Sequence, residues 1–285
     1  MHQTGIFTYQ SNPYTTLPNM LTPSRNFILS AALLSTSLFP ALAHSAELGD
    51  FYNLGPRPTE TAVRAGFITL NAPRYQGSDE QKTSVVPGIF LQGSNGLFAD
   101  PFNGVGYVFE PAGSLVYGVR ANIETGRSVE DALPGFDKIK SGLNPGVFAN
   151  YTVNEQLTLK SALRSGLGDA GDGSLLNLGA TYKLYNANFV SVNLNASVKF
   201  GSSSYMQSYF GISPTQSAAS GLAAYQPAAG VSMAQVGLTG GFPISREIYI
   251  FSSVSVQRLM GDAANSPIVK KKTQPAAFVG AVYSF

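Results

Sequence analysis

From Phe189 the chain sets Val190, Val192, Leu194, Ala196, Val198 and Phe200 against Ser191, Asn193, Asn195, Ser197 and Lys199. A period of two sends successive side chains to opposite faces of a strand, so one face is apolar and the other wet. The segment before it repeats the pattern, with Leu176, Leu178, Ala180, Tyr182 and Leu184 opposed to Asn177, Thr181 and Lys183. The short Tyr185-Asn186-Ala187-Asn188 connection between the two predicts a hairpin. Leu115, Tyr117, Val119, Ala121 and Ile123 likewise oppose Arg120, Asn122 and Glu124, and Leu157, Leu159 and Leu163 oppose Thr158, Lys160 and Arg164. Strands are expected near 113–125, 141–153, 155–166, 173–185, 188–200, 228–242, 246–259 and 274–285, and upstream near 61–72 and 83–92.

Beyond Ala43 no apolar run approaches the roughly 20 residues a membrane-crossing helix needs. In lipid every backbone polar group must find a partner within the protein, so strands can span only as a closed barrel. The connections alternate in length: Asn154-Glu155, 185–188 and 243–247 are tight, whereas 126–140, 201–227 and 259–273 are long. Short periplasmic turns and longer outer loops have this form. The pattern therefore predicts an all-β fold, an antiparallel transmembrane β-barrel over residues 61–285. An even strand number keeps both ends periplasmic. Splitting 96–110 near Phe102-Asn103-Gly104 gives twelve strands, and ten is the alternative if the first hairpin is not fully inserted. A periplasmic β-sandwich would alternate too, but with its polar face outside and bulkier core residues.

Composition sharpens the contrast. Charged residues are 12% of the chain, about half the usual share, with 30 Gly, 14 Tyr and 18 Phe. A net charge of +2 supplies no concentrated basic field, so nucleic acid is not expected as a partner. Residues 1–43 read as a signal peptide with its true start near Met20: Arg25 precedes the apolar stretch 27–39, and Ala41-Leu42-Ala43 offers a cleavage site. Residues 44–60 then form a periplasmic amino-terminal segment. At the other end, Tyr283 and Phe285 resemble the aromatic signal by which the barrel-insertion machinery recognises its clients. The expected location is the outer membrane of a Gram-negative bacterium.

Candidate chemistry is sparse. With no Cys, and only His44 left after cleavage, thiolate metal sites, cysteine nucleophiles and histidine-based catalysis within the barrel have no material, so no enzyme activity, cofactor or metal is expected. The G-x-G-x-x-G match at 166–171 precedes an alternating strand rather than a helix, so it reads as a glycine-rich loop, and Asp169 and Asp172 lack the carboxylate ladder of a calcium site. Arg64, Arg120, Glu124, Lys160, Arg164, Lys183 and Lys199 fall on the polar face. There they either set anion preference in a pore or pair with loop carboxylates in a plugged barrel. Lys270, Lys271 and Lys272 are either a solvated charge run or a contact for lipopolysaccharide phosphates. Tyr209, Phe210, Tyr225 and Asp262, in long outer loops, are candidate interaction residues, the aromatics suggesting packing inward over the lumen.

Several segments, spread in order over the mature chain, resemble the MipA/OmpV family of outer-membrane proteins, the MltA-interacting proteins. They are Pro73-Arg74-Tyr75-Gln76-Gly77-Ser78-Asp79, Gly96-Leu97-Phe98-Ala99-Asp100 with Gly104-Val105-Gly106-Tyr107, Tyr209-Phe210-Gly211-Ile212-Ser213 with Ser220-Gly221-Leu222-Ala223-Ala224-Tyr225, and the stretch 258–269. The resemblance implies a barrel in contact with outer-membrane lipid and lipopolysaccharide. For some members it implies a scaffold joining a murein hydrolase and a murein synthase, and for others an adhesin or a small-solute porin. It brings no catalytic motif.

Overall fold

A computed structural model describes residues 54–109, 113–124, 135–136, 139, 142–166, 173–187 and 189–285. Residues 1–43, most of the 126–140 loop and residues 167–172 of the glycine-rich loop, with the expectations attached to them, lie outside the described residues.

Twelve strands close into one antiparallel barrel. They are β1 (Ala62–Pro73), β2 (Gln81–Gln92), β3 (Leu97–Asp100), β4 (Gly104–Val108), β5 (Leu115–Glu124), β6 (Gly142–Thr152), β7 (Leu157–Gly166), β8 (Gly173–Ala187), β9 (Val190–Gly201), β10 (Gly230–Pro243), β11 (Ile248–Leu259) and β12 (Thr273–Ser284). Each pairs with its neighbours in sequence, and β1 closes on β12 with Arg64 opposite Ser284 and Asn71 opposite Ala277. The expected count of twelve holds, and the split at Phe102-Asn103-Gly104 is a real turn between β3 and β4.

The molecule is apolar outside and mixed within. On β9 Leu194 and Phe200 are exposed whereas Asn195, Ser197 and Lys199 are buried. Outward-facing Phe67 (65% exposed), Val85 (61%), Val254 (57%) and Val105 (55%) belong to a surface that only lipid satisfies. This inverted pattern excludes a soluble sandwich. No helix among the described residues is long and apolar enough to cross a membrane. The chain is an outer-membrane β-barrel protein.

The hairpin between β8 and β9 differs from expectation. β8 runs on to Ala187 and pairs it with Val190, so the strand extends two residues beyond its expected end at 185. The register slips between Lys183 and Tyr185, a bulge that absorbs one residue and leaves both Leu184 and Tyr185 exposed. Phe189, in the turn, carries a left-handed backbone (φ 68°). Strict alternation, on which the expected boundary rested, cannot register a bulge.

Glycine lets large rings lie along the inner wall. An added Cβ at Gly280 would meet the Phe251 ring, and one at Gly118 the Phe148 ring. Both rings are buried inside the barrel.

Candidate functional site

The lumen is divided. On β1, β2, β11 and β12 it is lined by Ile68, Leu70, Ala72, Phe90, Phe251, Ala276, Phe278 and Val282, which form one buried apolar cluster. Phe102 joins them from the tip of the β3–β4 hairpin, 2% exposed, with its ring centroid 5.2 Å from Phe278 and 6.1 Å from Phe90. The tip reaches inward because Asp100 organises it: its carboxylate accepts from the backbone N–H groups of Phe102 (2.8 Å) and Asn103 (2.7 Å) and from the Asn103 amide. Arg120 donates to Asn103 Oδ1 (3.1 Å), and Asn122 to the Phe102 carbonyl (3.2 Å), so the wall behind the hairpin holds its tip in place. The opposite half of the lumen is polar. Thr181 donates to Asn195 (2.7 Å), which donates to Thr239 (3.0 Å), with Arg164, Lys199, Ser197 and Gln235 buried beside them.

The predicted lumen cations all lie on inward positions of their strands, but in different surroundings. Lys199 (2% exposed) and Arg164 (8%) are deep in the polar half. Lys160 and Arg120 are half-buried, while Lys183 is exposed toward the periplasmic end of β8. Arg64, at the periplasmic end of β1, donates to Ser284 Oγ (3.2 Å). The Glu124 backbone pairs with Gly142, and its side chain lies outside the described residues. Five positively charged side chains from four strands thus share one interior with Arg64, yet nothing brings all of them to one point.

The outer loops pack into a cap. Helix α1 (Ser203–Phe210), amino-capped by Ser202, sets Tyr205, Met206 and Phe210 against Leu175, Met233 and Leu259, inward-facing residues at the outer ends of β8, β10 and β11. Helix α2 (Pro214–Ser220) begins in a capping box between Ser213 and Gln216 and ends at left-handed Gly221. The one-turn α3 (Gly261–Asn265) adds Ala263 and Ala264 to the same cluster. Phe210 is fully buried and its carbonyl accepts from Ser266 Oγ (2.6 Å). Tyr209 stacks on Tyr205 with centroids 4.6 Å apart. Tyr225 donates to the Asp262 carbonyl (2.9 Å), and the Asp262 carboxylate accepts from Ala228 N–H (2.8 Å). All four candidate interaction residues are thus engaged in the cap itself. Burial, then the Asp262 charge, hold the Tyr225 phenol above its usual value.

The first outer loop is tied to the cap through Gln274, which is fully buried. Its amide donates to the Ser78 carbonyl (2.6 Å) and accepts from Gly77 N–H (3.1 Å). Lys270 and Lys271 donate backbone N–H groups to the Gly77 carbonyl, and Lys270 pairs with Asp79 at 3.5 Å between exposed side chains. The periplasmic mouth is occupied as well. Leu54 packs among Phe98, Val108, Val116 and Phe148, and Arg57 donates to the Val108 carbonyl (2.9 Å) and Tyr107 hydroxyl (3.0 Å) with its guanidinium over that ring. Outside the barrel, Tyr283 (47% exposed) and Phe285 (83%) place their rings edge to face, 5.2 Å apart.

Sequence reasoning missed Phe102, Asp100, Leu54, Arg57 and Gln274. For the hairpin tip a signal was present: Asp two and three residues ahead of the Phe-Asn pair is the spacing of an Asx turn.

Among solved structures the chain is similar to a bacterial polysaccharide outer membrane secretin (9% identity, 80% of this chain and 99% of that one, TM-score 0.43). It is also similar to an outer membrane channel from Pseudomonas putida F1 (12% identity, 82% and 98%, TM-score 0.40) and to the KdgM porin (9% identity, 79% and 99%, TM-score 0.36). No curated protein matches it in sequence. A family model, MltA-interacting protein MipA, matches residues 65–285, from the fourth residue of β1 through the last strand, and the chain belongs to that family.

Proposed function

We propose that this protein is a closed outer-membrane barrel that works as a non-enzymatic scaffold for murein-remodelling enzymes at the periplasmic face, rather than as an open channel. The observation that carries the reading is the filled interior: the Phe102 cluster occupies half the lumen, and the outer loops pack their largest apolar side chains into the mouth above the other half. A solute pore gains nothing from burying Phe210 and Met206 completely at its entrance. The family description, an MltA-interacting protein, names a murein enzyme as the kind of partner. Contact with lipid and lipopolysaccharide comes with the membrane, and Tyr283 and Phe285 serve the insertion machinery before assembly is complete.

Photo-cross-linkers at Glu155 and Arg246, in the exposed periplasmic turns, test the reading in intact cells. Capture of a murein hydrolase or synthase is expected. Recovery of neither from both positions, with the barrel folded, would count against a scaffold. The porin alternative has no comparable support in the lumen geometry.

A further inference from the structure

We propose that Arg258, with Lys271 and Lys272 beside it, forms a site on the membrane-facing rim of the barrel for the phosphate of a phosphorylated glycolipid in the outer leaflet, the headgroup chemistry of lipopolysaccharide. The lipid face of the wall is otherwise uncharged: among the described residues every other charged residue of the twelve strands takes an inward position, from Arg64 on β1 to Lys199 on β9. On β11 the outward row runs Ile248, Ile250, Ser252, Val254, Val256 and then Arg258, so a guanidinium stands at the outer end of the strand, directly above exposed valines. A charge on the lipid face is costly at the middle of the bilayer and nearly free at its interface, which puts Arg258 at the level of the outer headgroups.

The neighbours of Arg258 add charge and hold it in place. Arg258 lies opposite Thr273 on β12 and donates from Nη1 to Thr273 Oγ1 (3.3 Å), which sets the guanidinium over the β11–β12 seam. On the next rung the Lys272 carbonyl accepts from Leu259 N–H (2.8 Å), and Lys271 N–H donates to the Gly77 carbonyl (2.9 Å), so the backbone of both lysines is anchored while their side chains are exposed. Lys272 Nζ donates to a neutral acceptor, Asn265 Oδ1 (3.4 Å). The nearby acids are engaged elsewhere: Asp79 pairs with Lys270, Glu80 with Arg74 (3.0 Å), and Asp262 accepts from Ala228 N–H. Among the described residues no carboxylate pairs with Arg258, Lys271 or Lys272. A guanidinium fork matches phosphate oxygens, and two ammonium groups beside it suit the charge of a phosphate monoester. Below them Val236, Val254, Val256 and Val279 face outward on β10, β11 and β12 and are exposed, an aliphatic wall for acyl chains. A soluble anion would use the cations alone, whereas a phosphorylated lipid uses both the cations and the wall. The inference rests on the outer-membrane location and not on the scaffold reading.

Native mass spectrometry of the full-length protein, folded in micelles of an uncharged detergent, tests the site. EDTA is included so that no divalent cation bridges protein and lipid, and the probes are lipid A with both phosphates and the same lipid dephosphorylated. The unaltered protein is expected to hold phosphorylated lipid A about tenfold more tightly than the triple variant R258Q/K271Q/K272Q, and to hold the dephosphorylated lipid no better than that variant does. R246Q, which removes an exposed arginine from a periplasmic turn, should bind as the unaltered protein does, and the gel shift on boiling checks that each variant is folded. Should the triple variant not fold, R258Q alone decides by the same comparison. Equal retention of phosphorylated lipid A by the variant, or equal retention of the two lipids by the unaltered protein, would mean hydrocarbon contact only and overturn the proposal. Displacement of the lipid by an equal concentration of inorganic phosphate would mean that the cations take any anion, and would overturn it as well.

Discussion

At the residue scale, single side chains hold together segments far apart in sequence. Gln274 makes contacts with Gly77, Ser78 and Gln257 from a fully buried position. Replacing it with Leu leaves those backbone groups of the first loop unpaired, at about 1–3 kcal/mol for each buried group so stranded. Q274L should become sensitive to protease in residues 74–80 at a concentration that leaves the native protein uncut. Phe102 contacts three other buried rings, and F102A should lower stability by about 3–5 kcal/mol, read as a lower urea midpoint for unfolding from detergent micelles. Tyr225 adds a pH dependence. Its folded value lies above the ordinary 10.0, so its contribution to the cap is fully present below that pH and is lost as the pH rises through the folded value. Cap protection against protease should therefore fall on alkalinisation beyond about pH 10, and Y225F should remove that component of the loss.

At the element scale, the strands were legible because lipid outside and packing inside impose one period of two on every strand. The apolar positions of β9 and β12 could be assigned to a face from the residues alone. What escaped notice depends on contacts between distant segments. Nothing local in 97–108 says that its turn bends into the lumen, since that follows from Phe90, Phe251 and Phe278 waiting on three other strands. The bulge at Lys183/Tyr185 breaks the very periodicity used to find the turn. The outer loops are visibly long and aromatic in the sequence, but the partners of Phe210 in β8, β10 and β11 lie up to about fifty residues away in the chain. Helix α1 is the element on which the cap turns. M206A together with F210A should expose the loops 202–229 and 260–272 to protease while the gel shift of the barrel on boiling is unchanged, because the twelve-strand ladder does not run through the helix.

At the scale of the whole molecule, the barrel encloses a lumen that its own side chains fill, with an apolar half, a polar half, a cap and a tucked amino-terminal segment. The cations expected on the polar face sit at inward positions in different surroundings, and the plugged-barrel reading proposed above, rather than the pore, draws on the packing around them. On the scaffold reading proposed above, the interior stiffens the wall, and the surfaces left for other molecules are the periplasmic turns, the loop exterior and the membrane-facing side. Conductance across a planar bilayer tests this most directly. Purified, folded protein should leave the bilayer silent, and a variant lacking residues 203–225 and carrying F102A should conduct; steady ion flow through the unaltered protein would contradict the account.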